Sequence, residues 1–306
     1  MKQVMDNLEQ LTLSSEHLRI ISQGDIFVEH FRKLKILILR QFEDDQTTFP
    51  FWFLQNMPAL EHHVVEWSSF EEIFPSEVPV HPEGKIAKTT RIKMLELNGL
   101  QELSHICKEG CQIDPILEFL EYLDVHKCSK LKNLVPSSVT FNHLTYLTIR
   151  NCMGLTYLIT SSTARSLKML TTLEICKCDS IVEIVVEGKG EDNINEITFN
   201  SLKVLKLDSL SKLHMFCSSD CFLKFPLLMK LVIRQCPRMT RFSLGETSAP
   251  MLQMIKKDEG DGKWCWEGDL TRTFNKMFHD TVCFLISEVN NYSMKSVRLS
   301  LQCNVF

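Results

Sequence analysis

The chain has 306 residues, 44% of them hydrophobic and 24% charged, with a formal net charge of −4. This supplies a packed interior and an ordinary polar surface, and it gives no electrostatic footing for nucleic acid, whose binding needs clustered basic groups against phosphates. No uninterrupted apolar run of about 18 residues occurs, so no membrane span is predicted.

The N-terminal segment, Met1-Lys2-Gln3-Val4-Met5-Asp6-Asn7-Leu8-Glu9-Gln10, lacks the apolar stretch of a secretory signal, which predicts a cytoplasmic (intracellular) setting. Leu11 opens a first apolar phrase. A second comes as Leu34-Lys35-Ile36-Leu37-Ile38-Leu39, and a third is degenerate, with His63 at the key position and Leu60, Val65, Phe70 and Ile73 keeping its phase. The proline-rich stretch Phe74 to Gly84 then lengthens the spacing, since proline denies ladder donors. Ile92-Lys93-Met94-Leu95-Glu96-Leu97 resumes the pattern. Two copies then match at every apolar position: Leu117, Leu120, Leu123, Val125, Cys128, Leu131, Leu134 and Phe141, Leu144, Leu147, Ile149, Cys152, Leu155, Leu158. Ser161 to Leu167 reads as a helical turn or two.

Leu170 to Ile184 repeats the phrase with Cys178. A polar insertion, Glu187 to Asn193, reads as a loop, and Leu202 to Phe216 carries Leu210 where the others carry Cys. Leu228 to Phe242 is the last copy, with Cys236. The anchors Leu11, Leu37, His63, Leu95, Leu123, Leu147, Leu173, Leu205 and Leu231 are spaced 24 to 32 residues apart. After Gly245 the pattern is expected to stop.

Such a period is that of a solenoid, in which no unit buries its apolar face alone. The pattern is that of a leucine-rich repeat, an α/β arc with a parallel concave sheet and a mostly irregular convex side. Residues 1–245 are expected to form about nine repeats, 246–284 a C-terminal cap and 285–306 a loose tail. With strands ~4.8 Å apart, nine repeats extend on the order of 40 Å.

Twelve cysteines invite a disulfide or metal reading. Four of them, Cys128, Cys152, Cys178 and Cys236, instead share one repeat position, where a small inward side chain bonds backbone. The pairs Cys107/Cys111 and Cys217/Cys221 sit at the same phase four repeats apart. Their separation of ~19 Å excludes one shared zinc, whose ligands lie ~2.3 Å from the metal. His62 and His63, adjacent on a strand, point to opposite faces and cannot chelate together. No catalytic, cofactor-binding or metal-binding constellation stands out, so no enzyme and no cofactor are predicted.

The residues before, after and three after each anchor alternate outward and are free of packing demands. Among them, Tyr122, Asp124, His126, Tyr146, Thr148, Arg150, Glu174, Lys206, Asp208, Lys230 and Arg234 are the candidate protein-binding residues of the concave face, mixing aromatics and charges as interfaces do. Thr148 is expected to be exposed and indifferent to substitution.

Three phrases carry a family resemblance: Phe225-Pro226-Leu227-Leu228-Met229-Lys230-Leu231-Val232-Ile233-Arg234-Gln235-Cys236-Pro237-Arg238-Met239, Ser68 to Pro75, and Trp266-Glu267-Gly268-Asp269-Leu270. Over residues 1–284 the chain resembles the repeat region of plant intracellular disease resistance proteins of the coiled-coil, nucleotide-binding, leucine-rich-repeat class. The resemblance implies a recognition and autoinhibitory domain of an innate-immune receptor. Its partners would be proteins: a pathogen effector, a guarded host protein, or the receptor's own nucleotide-binding domain. That family's phosphate loop, Gly-x-x-x-x-Gly-Lys-Thr, has no counterpart here. Phe278-His279-Asp280 is similar to the family's Met-His-Asp switch, but it comes after the repeats instead of preceding them. A stand-alone repeat adaptor, such as a ubiquitin-ligase substrate receptor, is the alternative function, and residues 1–30 supply no F-box-like helices for it.

Overall fold

A computed structural model describes residues 7–23, 31–42, 54, 57–74, 91–109, 117–188, 195–253, 255–256, 264–274 and 276. Nine parallel strands form the concave sheet: Gln10–Leu13, Ile36–Arg40, His62–Glu66, Met94–Asn98, Tyr122–His126, Tyr146–Arg150, Thr172–Cys176, Val204–Asp208 and Lys230–Arg234. Every anchor is the register partner of the next, from Leu11 and Leu37 through His63 to Leu231. The side-chain period of two then sends each anchor and the residue two later into the interior. Leu147, Ile149, Leu173, Ile175, Leu205 and Leu207 are all 0% exposed. The chain is a leucine-rich-repeat solenoid.

Each strand ends the same way. The residue four after the anchor is left-handed in Gln41, Trp67, Gly99, Lys127, Asn151, Lys177, Ser209 and Gln235. For a residue with a Cβ that backbone costs roughly 1 kcal/mol, and in return its N–H reaches the next repeat. Gln41 donates to the Glu66 carbonyl, Lys127 to that of Arg150, Asn151 to that of Cys176 and Lys177 to that of Asp208, at 2.9–3.2 Å. Among these eight positions only one uses glycine: a Cβ on Gly99 would lie 2.5 Å from the Trp67 ring. The Trp67 indole in turn receives Lys127 at 5.2 Å from its centroid.

One residue further on, the chain turns inward, and here the shared cysteines sit. Cys152 Sγ donates to the carbonyls of Arg150 and Val125 at 3.4 and 3.7 Å, and Cys236 Sγ to those of Arg234 and Leu207 at 3.1 and 3.7 Å. Cys178 Sγ donates to the Cys176 carbonyl and accepts from Cys152 N–H. Ser68 does the same with its hydroxyl, donating to the Glu66 carbonyl and accepting from Phe42 N–H. Burial pushes the Cys236 thiol up to about 11. These groups are backbone caps held neutral.

The convex side is more regular than the sequence implies. Tyr157–Thr160, Glu183–Val186 and Met215–Cys217 form one parallel three-stranded sheet, Glu196–Thr198, Phe222–Lys224 and Thr247–Ser248 a second, and Glu72–Phe74 with His105–Cys107 a pair. Runs of two to four residues are too short to show a period within one repeat, yet stacking in phase lets neighbours bond. Ser161–Ser166 is helical as expected, capped by the Thr160 side chain. A helix at Ser15–Gln23, with Leu18 buried, has no counterpart in the repeat phrase and is not evident from it.

The parallel sheet also continues past Gly245. Ile255–Lys256 adds a strand with Ile255 opposite Leu231, and Trp264–Cys265 then pairs antiparallel with it. Ala249-Pro250-Met251-Leu252-Gln253-Met254-Ile255 repeats the spacing of Phe225 to Leu231, with Leu252 and Ile255 buried, but lacks the cysteine phrase found after it elsewhere. Phe199, Phe216, Phe225 and Phe242 interlock at 5.0–5.8 Å in the last repeats, and Phe274 closes on Phe242 at 5.7 Å. Asp269 caps this terminal segment through Arg272 N–H at 2.8 Å, after a left-handed Gly268. Residues 75–84 of the proline-rich insertion, 189–193 of the polar one, Cys111, Phe278-His279-Asp280 and the tail 285–306 lie outside the described residues.

His63 is the one polar anchor. It is 0% exposed, with Nδ1 at 3.1 Å from the Leu37 carbonyl. Burial lowers its pKa from the ordinary 6.5 to about 4. The folded protein therefore refuses a proton that the unfolded chain takes up below pH 6.5, so stability is lost as pH falls from 6.5 towards 4, by about 3 kcal/mol at most. His63→Leu should remove that part of the slope; urea titrations at pH 7 and pH 4.5 read it, and an unaltered slope in the variant assigns it elsewhere. Leu147→Ala, at an apolar anchor, should cost about 2 to 5 kcal/mol, and a loss under about half a kcal/mol in equilibrium denaturation would contradict the register.

Candidate protein-binding face

The strands that bury the anchors present three rows on the concave side. The row before the anchors runs Met94, Tyr122, Tyr146, Thr172, Val204, Lys230, and the row after them Glu96, Asp124, Thr148, Glu174, Lys206, Val232. The third row runs Asn98, His126, Arg150, Cys176, Asp208, Arg234. The candidate residues therefore fall on one continuous surface. Chemically it is graded: Glu96, Asp124 and Glu174 face the single Arg150 at its middle, while Lys206, Lys230 and Arg234 outnumber Asp208 towards the C-terminal end.

At the middle, Tyr122 and Tyr146 stack with ring centroids 5.4 Å apart and planes 15° from parallel. Tyr122 Oη donates to Asp124 Oδ2 at 3.5 Å. Burial raises the Asp124 pKa above the usual carboxylate range; the Arg150 charge opposes this and Glu96 reinforces it. Burial likewise raises both tyrosines, with carboxylate neighbours adding to it, Asp124 for Tyr122 and Glu174 for Tyr146. The His126 pKa is lowered, first by burial and then by Lys127; its Nε2 lies 2.9 Å from Asn151 Nδ2. Arg234 and Asp208 form an ion pair at 3.3 Å with both side chains largely covered.

Thr148 departs from expectation. It occupies its place between Asp124 and Glu174 but is 0% exposed, and its Oγ1 has no hydrogen-bond partner among the described residues. Alternation fixes the side from which a residue emerges; whether neighbours then cover it depends on their size, and here a threonine stands among tyrosines, an arginine and acids. Val232, at the same phase, is 6% exposed.

The candidate residues start at Tyr122, although the repeat phrase also turns Met94, Glu96 and Asn98 outward on this face. His62 and Glu96 meet at 2.8 Å, and Arg40 and Glu66 at 2.7 Å, on the same face. Alternation around the degenerate anchor is the available signal, since His62 is half-exposed while His63 is buried. Cys217 and Cys221, with Sγ atoms 3.8 Å apart, are buried free thiols on the far side of the sheet. No group of three metal-ligating side chains converges among the described residues.

Residues 7–152 and 139–244 match the model of the plant disease resistance protein RPS2-like leucine-rich repeats. The chain belongs to that family. A probable disease resistance protein of Arabidopsis thaliana, At5g47260, is 27% identical over 187 residues, covering 58% of this chain and 18% of the relative. The chain thus spans less than a fifth of the length of that curated relative. No solved structure matches it. The RPS2-like repeats make this a defence-related repeat domain, a protein-interaction module, and none of the comparisons favours the adaptor alternative. No helix among the described residues of this RPS2-like domain is long and apolar enough to cross a membrane.

Thr148→Val keeps the shape and removes a hydroxyl that bonds nothing, so stability should be unchanged or rise by about 1 kcal/mol. Thr148→Lys, which buries a charge, should lose about 2 kcal/mol or more. Chemical denaturation compares the two, and a comparable loss in the valine variant would show that Oγ1 has a donor.

Proposed function

We propose that this domain recognises protein through its concave face, as the sensing and autoinhibitory part of a plant intracellular immune receptor, and carries out no catalysis. Its partners would be the receptor's nucleotide-binding domain in the resting state and a pathogen effector or altered host protein on activation. The cytoplasm is the setting this requires. The observation that carries the reading is the graded concave surface on a family-typical frame: anchors such as Leu147 and Leu173 are consumed by packing, whereas Tyr122, Asp124, Glu174 and Lys230 keep solvent access. Repeat proteins bind through such extended concave surfaces.

The test is binding of a separately produced nucleotide-binding domain from a receptor of this family to wild type and to Glu174→Lys combined with Lys230→Glu. Both positions keep solvent access, so stability should stay within about half a kcal/mol, while affinity should fall roughly tenfold, equal to about 1.4 kcal/mol. Unchanged affinity in a folded double variant would move the interface to the convex side.

A further inference from the structure

We infer that the middle of the concave face is a seat for an arginine side chain of the protein partner, centred on Asp124 and flanked by Glu96 and the Tyr122–Tyr146 stack. This rests on the reading of the concave face as a docking surface and says which group it takes.

Charge comes first. Glu96 and Asp124 are register partners on neighbouring strands, and Glu174 stands two strands beyond Asp124 in the same row. At ~4.8 Å per strand all three lie within ~15 Å; Lys206 is the register partner of Glu174 at the far edge, and Arg150 is the permanent cation on the strands between Glu96 and Glu174. Glu96 is met by His62 at 2.8 Å. Asp124 forms no ion pair among the described residues: Arg150 acts on it through space, and its one hydrogen bond is the long 3.5 Å contact from Tyr122. The centre therefore keeps an excess of negative charge in a partly dehydrated place, where a like-charged or neutral occupant gains nothing.

The second observation is independent of charge. Asp124 Oδ1, Thr148 Oγ1 and Asn98 Oδ1 are buried without a hydrogen-bond partner. Thr148 is wholly buried and lies directly beside Asp124 across the strand pair. Buried acceptors without donors destabilise the site that contains them, and that cost disappears when a ligand brings donors. A guanidinium carries five N–H donors in a plane and accepts nothing.

Shape selects arginine over lysine. The tyrosines form a flat aromatic wall one row over from Asp124. A guanidinium stacks on such a wall while its edge donates to a carboxylate, which an ammonium, a compact point charge, does less well. The neighbours of Asp124 and Thr148 in the adjoining rows, Tyr122, Tyr146 and Arg150, all keep some solvent access. Rotamer changes at such positions occur in picoseconds to nanoseconds, so entry requires no change in the sheet.

The probe is a set of three capped pentapeptides, Gly-Ser-Xaa-Ser-Gly, with arginine, lysine or uncharged citrulline at the centre, titrated into the full chain and followed by ligand-observed NMR. Wild type should bind the arginine peptide at least tenfold more tightly than the citrulline peptide, with lysine between. Asp124→Asn and Glu96→Gln, both nearly isosteric, should each reduce arginine binding several-fold and leave citrulline unaffected. Tyr146→Leu should narrow the gap between arginine and lysine. If Asp124→Asn proves unfolded by thermal melting, Glu96→Gln carries the comparison alone. Equal binding of the arginine and citrulline peptides, an arginine preference that survives loss of the carboxylates, or no binding at millimolar peptide each overturns the seat. Loss of nucleotide-binding-domain affinity on reversing Glu174 and Lys230, with no arginine preference, would remove the seat and leave the docking face standing.

Discussion

Everything in this molecule hangs on one hydrogen bond made again and again, from the left-handed residue at each strand end to a carbonyl of the next repeat. It is made by Gln41, Trp67, Gly99, Lys127, Asn151, Lys177 and Ser209 alike. Because the donor is always four residues past the anchor and the acceptor always three past the next one, the bond fixes register between repeats whose lengths differ by up to eight residues, since spacings run from 24 to 32. A one-residue slip would turn every anchor to the concave side. The concave register is therefore unbroken on either side of both long spacings.

That constraint separates frame from face. Anchors and cysteines answer to packing and backbone capping, so their chemistry is spoken for: the Cys152 thiol is raised first by its hydrogen bond with Cys128 and the Cys178 thiol by its hydrogen bond with Cys152, with burial adding to both. The residues between answer only to their neighbours in the rows. An acidic and aromatic middle and a basic C-terminal end can coexist on one sheet because neither contributes to the interior. Thr148 is a row residue that is buried, while its register partners Asp124 and Glu174 keep solvent access.

Two segments lie outside the repeat phrase. Between the first two strands, the helix Ser15–Gln23 buries Leu18 in the core. After the last repeat phrase a further parallel strand, an antiparallel strand and the segment from Trp266 to Phe274 cover the last phenylalanines. The phrase Trp266-Glu267-Gly268-Asp269-Leu270 thereby acquires a physical reason: it supplies a left-handed glycine, a capping aspartate and a buried leucine beside the last repeat phrase.

The sequence by itself determined the nine anchors and their phase, the division between His62 and His63, the shared duty of Cys128, Cys152, Cys178 and Cys236, and the row to which each concave residue belongs. All of these come from periods of two and of one repeat, which are written locally in the chain. Tertiary structure alone decided the convex strands, the pairing of Ile255 with Leu231, the burial of Thr148, the stacking of Tyr122 on Tyr146 and the unpartnered oxygens around Asp124. Each of these depends on what a residue 24 or more positions away places beside it. A local pattern sets the direction of a side chain; the size and charge of its neighbours across the sheet set its cover, its hydrogen bonds and its affinity for protons.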